Sequence, residues 1–211
     1  MKIRKPPARL HFPDAEQKLP WLAMLLEAYA VIDKGVAFAA GKHEKKHRTK
    51  LACAKGCSNC CRTHKDIPLY PLEMVGLYWF AIEKLERPAR DILKNRLLAH
   101  CKDDPCPFLI EGSCSVHPLR PVACRQFNVF GAACAEGEDP YYTRRGDVLT
   151  PDRDYTGRAF SIMLPFYGIS DATAKKRAIK GGLIHTQARE LHACNWKELA
   201  RRMDDFDFGR R

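Results

Sequence analysis

The feature that most constrains this chain is its cysteines: ten in 211 residues, seven of them in two compact blocks. The first block runs Cys53-Ala54-Lys55-Gly56-Cys57-Ser58-Asn59-Cys60-Cys61, a C-x3-C-x2-C-C spacing. The second holds Cys106, Cys114 and Cys124, and Cys134 follows ten residues later. Thiols packed this closely converge only if the backbone turns sharply, and Gly56 ahead of Cys57 supplies that freedom. Whether they become disulfides or ligands depends on the compartment. Met1-Lys2-Ile3-Arg4-Lys5-Pro6-Pro7 carries charge and proline with no apolar region behind it, so no secretory signal is expected. The apolar stretch from Leu19 to Ala40 is broken by Glu27, Asp33, Lys34 and Gly35, so no membrane span is expected. The expected location is the cytoplasm, where clustered cysteines point to metal or redox chemistry.

Grouped thiolates suit zinc or an iron–sulfur centre. Buried free cysteines also serve as small apolar side chains, and that competing reading applies more to the second block than to the first. A mononuclear zinc site takes four ligands, fewer than the thiols on offer. Cys60 and Cys61 are adjacent, so their side chains leave the backbone in different directions. Either they serve two metals, or one ligates while the other packs, or the centre is polynuclear. Thiolate centres are anionic and are stabilised by nearby cations. Lys55, Arg62, Arg120 and Arg125 flank the cysteines, either for that purpose or as solvated surface.

Around these loops the pattern is helical, and the expected fold is mainly α: a small helical domain with irregular cysteine-rich metal-binding loops. Pro20 can open a helix, and Leu22, Leu25, Leu26, Tyr29, Ile32 and Val36 recur at helical spacing to about Gly41. The run Lys42-His43-Glu44-Lys45-Lys46-His47-Arg48-Thr49-Lys50 reads as a solvated helix end or an anion-binding patch. A second helix starts near Pro71, apolar nearly all round. A third opens at Pro88, with Ile92, Leu93, Leu97 and Leu98 as its core face. Residues 101–135 read as irregular and 136–158 as polar turns. Residues 171–193 read as helix despite Gly181-Gly182, and 195–205 as a terminal helix. The expected organisation is a basic arm and amphipathic helix over 1–50, a cysteine-cluster core over 51–135, and a polar loop with C-terminal helices packing on it over 136–211, within one domain overall.

Four motifs in order carry a resemblance: Cys53-xxx-Cys57-xx-Cys60-Cys61, Cys106-Pro-Phe-Leu, Gly112-x-Cys114-Ser-Val and Arg120-Pro-x-x-Cys124-Arg125. Over roughly residues 50–130 the chain resembles the YkgJ-like cysteine-cluster family, described as a zinc- or iron-chelating domain, with which flagellin lysine N-methylases are grouped. The resemblance implies a metal centre with ligands drawn from Cys53, Cys57, Cys60, Cys61, Cys106, Cys114 and Cys124. Many members have a tyrosine at the position of His117, which leaves the role of His117 open, as is that of Cys134. His185 and His192, seven apart on a presumed shared helix face with Cys194 at its end, permit metal binding or serve as ordinary polar-face residues. Cys101 and Cys194 have no motif around them and read as structural. The spacing Cys53, Cys57, Cys60 also matches that of radical S-adenosylmethionine enzymes, but a short chain with few strands does not make their barrel.

Three functions follow. The first is an iron–sulfur or zinc centre held by clustered cysteines, with redox or catalytic use. The second is a structural zinc module presenting a basic surface to an acidic protein or nucleic-acid partner, favoured by the net charge of +11. The third is a protein-lysine methylase-like enzyme, against which stands the lack of a recognisable cofactor loop. Catalytic residues are not identifiable, and no membrane partner is expected.

Overall fold

The computed structural model describes residues 5–54 and 56–209. The first four residues of the basic arm, Lys55 with its charge-balancing role, and the last two arginines lie outside the described residues. The protein is mainly α. In chain order the helices are α1 (Pro13–Lys18), α2 (Pro20–His47), α3 (Asn59–Thr63), α4 (Pro71–Glu83), α5 (Ala89–Ala99), α6 (Val122–Gln126), α7 (Pro140–Thr143), α8 (Arg153–Met163), α9 (Ala172–Lys180), α10 (Leu183–Thr186) and α11 (Trp196–Gly209). Two short antiparallel pairs complete it: β1 (Pro68–Leu69) with β4 (Arg189–Glu190), and β2 (Leu109–Ile110) with β3 (Ser113–Cys114).

Proline sits at the start of α2 and α4 as expected, since the first helical turn needs no N–H from it and its φ is already set. The basic run does not end α2 at Gly41. The helix continues through Lys45, Lys46 and His47, whose positive charge suits the carbonyl end of the dipole, and stops at left-handed Arg48. This helix is the spine: α1, α4, α6 and α8 all pack on it. On α5 the expected face is too wide. Leu93 and Leu97 are buried, but Ile92 and Leu98 are exposed, and Arg90 is buried in their place, donating to the carbonyls of Ala81 and Met203.

The C-terminal third departs most from expectation. Residues 171–193 are not one helix: α9 ends at Lys180, Gly182 takes a left-handed φ of 67°, and only the short α10 follows before β4. The terminal helix runs further than residue 205, to Gly209. Helix α8 lies where polar turns and unassigned sequence were read. Its first turn is polar because Asp152 caps it, accepting from the N–H groups of Asp154 and Tyr155. Its buried residues Ala159, Phe160 and Met163 come later.

Helix α8 reaches α2 at a glycine. A Cβ built on Gly35 would lie 2.5 Å from the Cβ of Tyr155, so no larger residue fits without moving a backbone. One apolar cluster then joins Leu22, Leu25 and Ile32 of α2 to Leu72 and Leu77 of α4, Leu93 and Leu97 of α5, Phe108, and Trp196 and Leu199 of α11. Among the described residues no helix is long and apolar enough to cross a membrane.

Gly35→Ala is expected to cost about 1–3 kcal/mol by overpacking this crossing. Gly41→Ala, on the same helix with open space around it, is expected to be neutral or stabilising by about 0.4–1 kcal/mol. Urea unfolding of the two variants checks the contrast, and equal effects would mean that α8 does not sit on Gly35.

Candidate metal centre

The second cysteine block is tied to the helical core by buried polar groups. Glu73 of α4 is fully buried. Its carboxylate accepts from the N–H of Val122 at 2.7 Å and of Tyr70 at 3.1 Å. Burial pushes its pKa up to about 7, against the opposing effect of those donors, the Tyr29 hydroxyl and Arg125. Arg125 of α6 is buried as well. It pairs with Asp33 of α2 at 2.8 Å, donates to the carbonyl of Arg120 at 2.9 Å and to that of Pro118, and lies 4.0 Å over the Tyr29 ring. Its role is therefore to brace the loop 117–126 against α2.

The first block is tied to the second and to the loop beyond it. The N–H of Cys106 donates to the carbonyl of Cys61 at 2.8 Å. Residues 50–52 pair with 129–131 through Ala52 N–H to Val129 O at 2.8 Å and Gly131 N–H to Lys50 O at 2.9 Å. This pairing aims the Val129 N–H at the Cys53 thiol, 3.3 Å away. Asn59 of α3 donates to the carbonyl of Glu138 at 2.7 Å, laying the segment that carries Cys134 over α3.

Eight of the ten thiols consequently face one another in two groups. Cys61 hydrogen-bonds with Cys106 and with Cys60 and is pushed up to about 12, and Cys114 adds to the effect. Burial raises Cys124, and Cys60, Cys61 and Cys114 add to it. Cys114 is raised chiefly by burial. Cys53 is raised by burial and by Cys57, Cys60 and Cys134, and Cys134 by burial and by Cys57 and Cys60 among its neighbours. Cys60 borders both groups, and its hydrogen bond with Cys61 is the largest cause of its raised pKa. One group is thus Cys61, Cys106, Cys114 and Cys124, with Cys106 buried and the other three half-buried. The other is Cys53, Cys57 and Cys134, with Cys57 exposed, and Cys60 lies between the two. All ten cysteines are free. Among the described residues no three Cys, His, Asp or Glu side chains stand at the spacing of a finished coordination shell. The donor set nonetheless fits a soft or borderline cation, since the neighbours of these thiols are other thiols.

Every cysteine of the two blocks is in this region, together with Cys134. Cys101 and Cys194 stand apart, the first exposed beside Ala99 and the second donating to the carbonyl of Glu190 at 3.4 Å. His117 lies 3.0 Å from the Arg120 guanidinium rather than among thiols, and burial lowers its pKa. Of the flanking cations, Arg120 does face thiols: Cys124 and Cys114 favour its charge while burial opposes it. Arg62 is exposed and lies near Gly112. His185 and His192 do not share a helix face. His185 is on α10 with its Nδ1 2.9 Å from the Tyr70 hydroxyl, whereas His192 lies buried beyond β4.

Arg144 gave no signal in the sequence, because it lies in no motif and its partners include backbone carbonyls twelve and fourteen residues away. It donates to the carbonyls of Phe130 and Ala132, at 3.3 and 2.9 Å, and to the carboxylates of Glu138 and Asp147, at 2.8 and 3.0 Å. The loop 130–138, with Cys134 inside it, is wrapped around one guanidinium. That guanidinium holds Glu138 at about 2. Away from the thiols, Lys42, Lys45, Lys46 and Arg153 line a cleft of about 1040 Å³ floored by Phe38 and Leu149.

Residues 52–145 match the family described as "CxxCxxCC: Putative zinc- or iron-chelating domain". The match takes in both cysteine blocks, Cys134 and Arg144. No curated protein and no solved structure matches the chain.

Arg144→Ala is expected to release the 130–138 loop, so that Cys134 in the metal-free protein alkylates several-fold faster while the melting temperature moves little. Residue-resolved alkylation followed by mass spectrometry checks this, and an unchanged Cys134 rate would show that Arg144 does not hold the loop.

Proposed function

We propose, for a chain whose central region belongs to the CxxCxxCC family of zinc- or iron-chelating domains, a protein built around two adjacent four-thiolate centres. Cys61, Cys106, Cys114 and Cys124 hold the buried centre. Cys53, Cys57, Cys60 and Cys134 hold the accessible one. The observation that supports this reading is the mutual facing of thiols from both blocks, with Cys60 neighbouring thiols of both groups. The binding core then extends past residue 135 to include Arg144.

Zinc fits the buried centre better than a cluster. At a Zn–S bond of about 2.3 Å, the edge of a four-thiolate tetrahedron is roughly 3.8 Å. Cys106 is the largest cause of the raised Cys61 thiol, so the two are close neighbours, which suits such an edge. In a four-iron cluster each thiolate sits on its own iron, so the sulfurs stand further apart. When bound, the metal supplies the positive charge that lets these buried thiols ionise. The chain's own residues gather the thiols, exclude water from Cys124, and set Arg120 and Arg144 where they offset the anionic centres. The buried centre has a folding role, because its loops have little else to order them. The exposed Cys57 makes the second centre the one open to exchange or chemistry.

A second reading concerns partners. The basic cleft beside α2 favours a zinc module that binds an anionic macromolecule through that face.

Anaerobic isolation and elemental analysis are expected to find about two zinc per chain and no visible colour, zinc having a full d shell. Strong absorption near the visible blue with stoichiometric iron and sulfide would replace zinc by a cluster. Less than half a metal per chain in folded protein would end the proposal. Cys57→Ser is expected to lose one equivalent and Cys114→Ser the other, while Cys101→Ser keeps both, hydroxyl being a poor ligand for a soft ion.

The raised thiol pKa values fix a sign for the pH dependence. Cys53, Cys60, Cys61, Cys114, Cys124 and Cys134 are all raised, so metal uptake should expel protons from them. Affinity should therefore fall steeply as pH drops. Zinc titration calorimetry in buffers of different ionisation enthalpy measures the release, and a release near zero would mean that thiolates are not the ligands.

A further inference from the structure

His100 follows α5 and His192 lies beyond β4, far apart in sequence and together in the fold. Their rings are 5.8 Å apart between centroids. The side chain of His100 is 4% exposed and residue His192 is 2% exposed. All four ring nitrogens are buried without a hydrogen-bond partner. Buried polar atoms are ordinarily satisfied, so four orphans on two touching rings call for a missing partner.

The surroundings say what that partner is. The backbone carbonyl of His192 lies near the His100 ring and that of His64 near the His192 ring, each outside hydrogen-bonding geometry. A metal-bound histidine has such a carbonyl on one nitrogen and the ion on the other. Two imidazoles on one tetrahedral ion, with metal–nitrogen bonds of about 2.0–2.1 Å, place their centroids roughly 5–6 Å apart. Burial lowers the pKa of both rings, keeping them in the neutral, ligating form. A carboxylate is also at hand: Oδ2 of Asp104 is 3.9 Å from Nδ1 of His100. Nitrogen and oxygen on a shared zinc stand about 3.3 Å apart, so Asp104 need close by only about half an ångström. Its turn is anchored, since Asp104 accepts from the Cys101 N–H at 2.8 Å and Lys65 donates to the Asp103 and Asp104 carbonyls at 2.6 and 2.8 Å. The Lys65 ammonium opposes a cation here, which limits the affinity.

We propose that His100, His192 and Asp104 form a separate site for a borderline divalent cation, with water completing its shell. This site does not rest on the thiolate centres. It replaces the pairing of His192 with His185 that spacing suggested.

The test is Co²⁺ uptake by the full chain with its thiols loaded with zinc. Cobalt held by nitrogen and oxygen shows d–d bands without thiolate-to-metal charge transfer, so it is read apart from cobalt on sulfur. The wild type is expected to bind one such equivalent. His100→Gln and His192→Gln should each weaken it by about tenfold or more, and Asp104→Asn by several-fold, with the thiolate metal unchanged. If the histidine variants fail to fold, Asp104→Asn decides alone, because Asp104 is half exposed. Wild-type affinity in Asp104→Asn and in every folded histidine variant, or no sulfur-free cobalt in the wild type, would overturn the proposal. A chain that binds this cobalt yet takes no metal on its thiols would overturn the thiolate centres and support this site.

Discussion

Two buried charged side chains hold the second cysteine block against the helices, and the placement of the thiols depends on them. Glu73 receives the N–H of Val122 at the start of α6, and Arg125 within α6 returns to Asp33 on α2. Neither charge can be stranded cheaply, since an unpaired buried ion or an orphaned backbone donor costs far more than a lost surface contact. The segment 117–126 is therefore fixed relative to α2 and α4 at once. Cys124 lies on it and is carried into the interior with it.

The consequence is a pocket of thiols that resists charge until a cation arrives. Thiol neighbours raise Cys60 and Cys61 most, and burial raises Cys53, Cys114 and Cys124. A cation reverses that balance by taking the proton's place on each sulfur. The polypeptide supplies partial compensation in advance. Arg120 stands beside Cys114 and Cys124, and Arg144 beside Cys134. Arg125, next to Cys124 in sequence, is committed to Asp33 and to carbonyls. Two arginines of one motif thus do different work, one facing sulfur and one bracing backbone.

Helices α2 and α4 were legible because their apolar residues repeat at helical spacing behind a proline. Helix α8 was not, although it packs along α2. Its opening turn is polar through the cap at Asp152, and its contact depends on an absence, the missing Cβ of Gly35. Absent atoms leave no hydrophobic period. On α5 the period was present but overread. Ile92 and Leu98 repeat with Leu93 and Leu97, yet the neighbouring helices cover only the inner two, and Arg90 takes an inner place by meeting carbonyls of α4 and α11.

The sequence by itself determined the mainly helical class and the match of its cysteine-rich region to a zinc- or iron-chelating domain. Spacing such as Cys53-x3-Cys57-x2-Cys60-Cys61 is a local restraint, and four motifs in order carry the family. The same reasoning set Cys101 and Cys194 aside, and both stand apart. Only the tertiary structure decided how the thiols group, that Cys134 joins them, and which ring faces His192. Those outcomes come from hydrogen bonds between segments far apart in sequence: Arg144 gathering the 130–138 loop, Asn59 reaching Glu138, and residues 50–52 pairing with 129–131. Local spacing says which residues can turn toward a common point. Packing between distant segments says which of them arrive there.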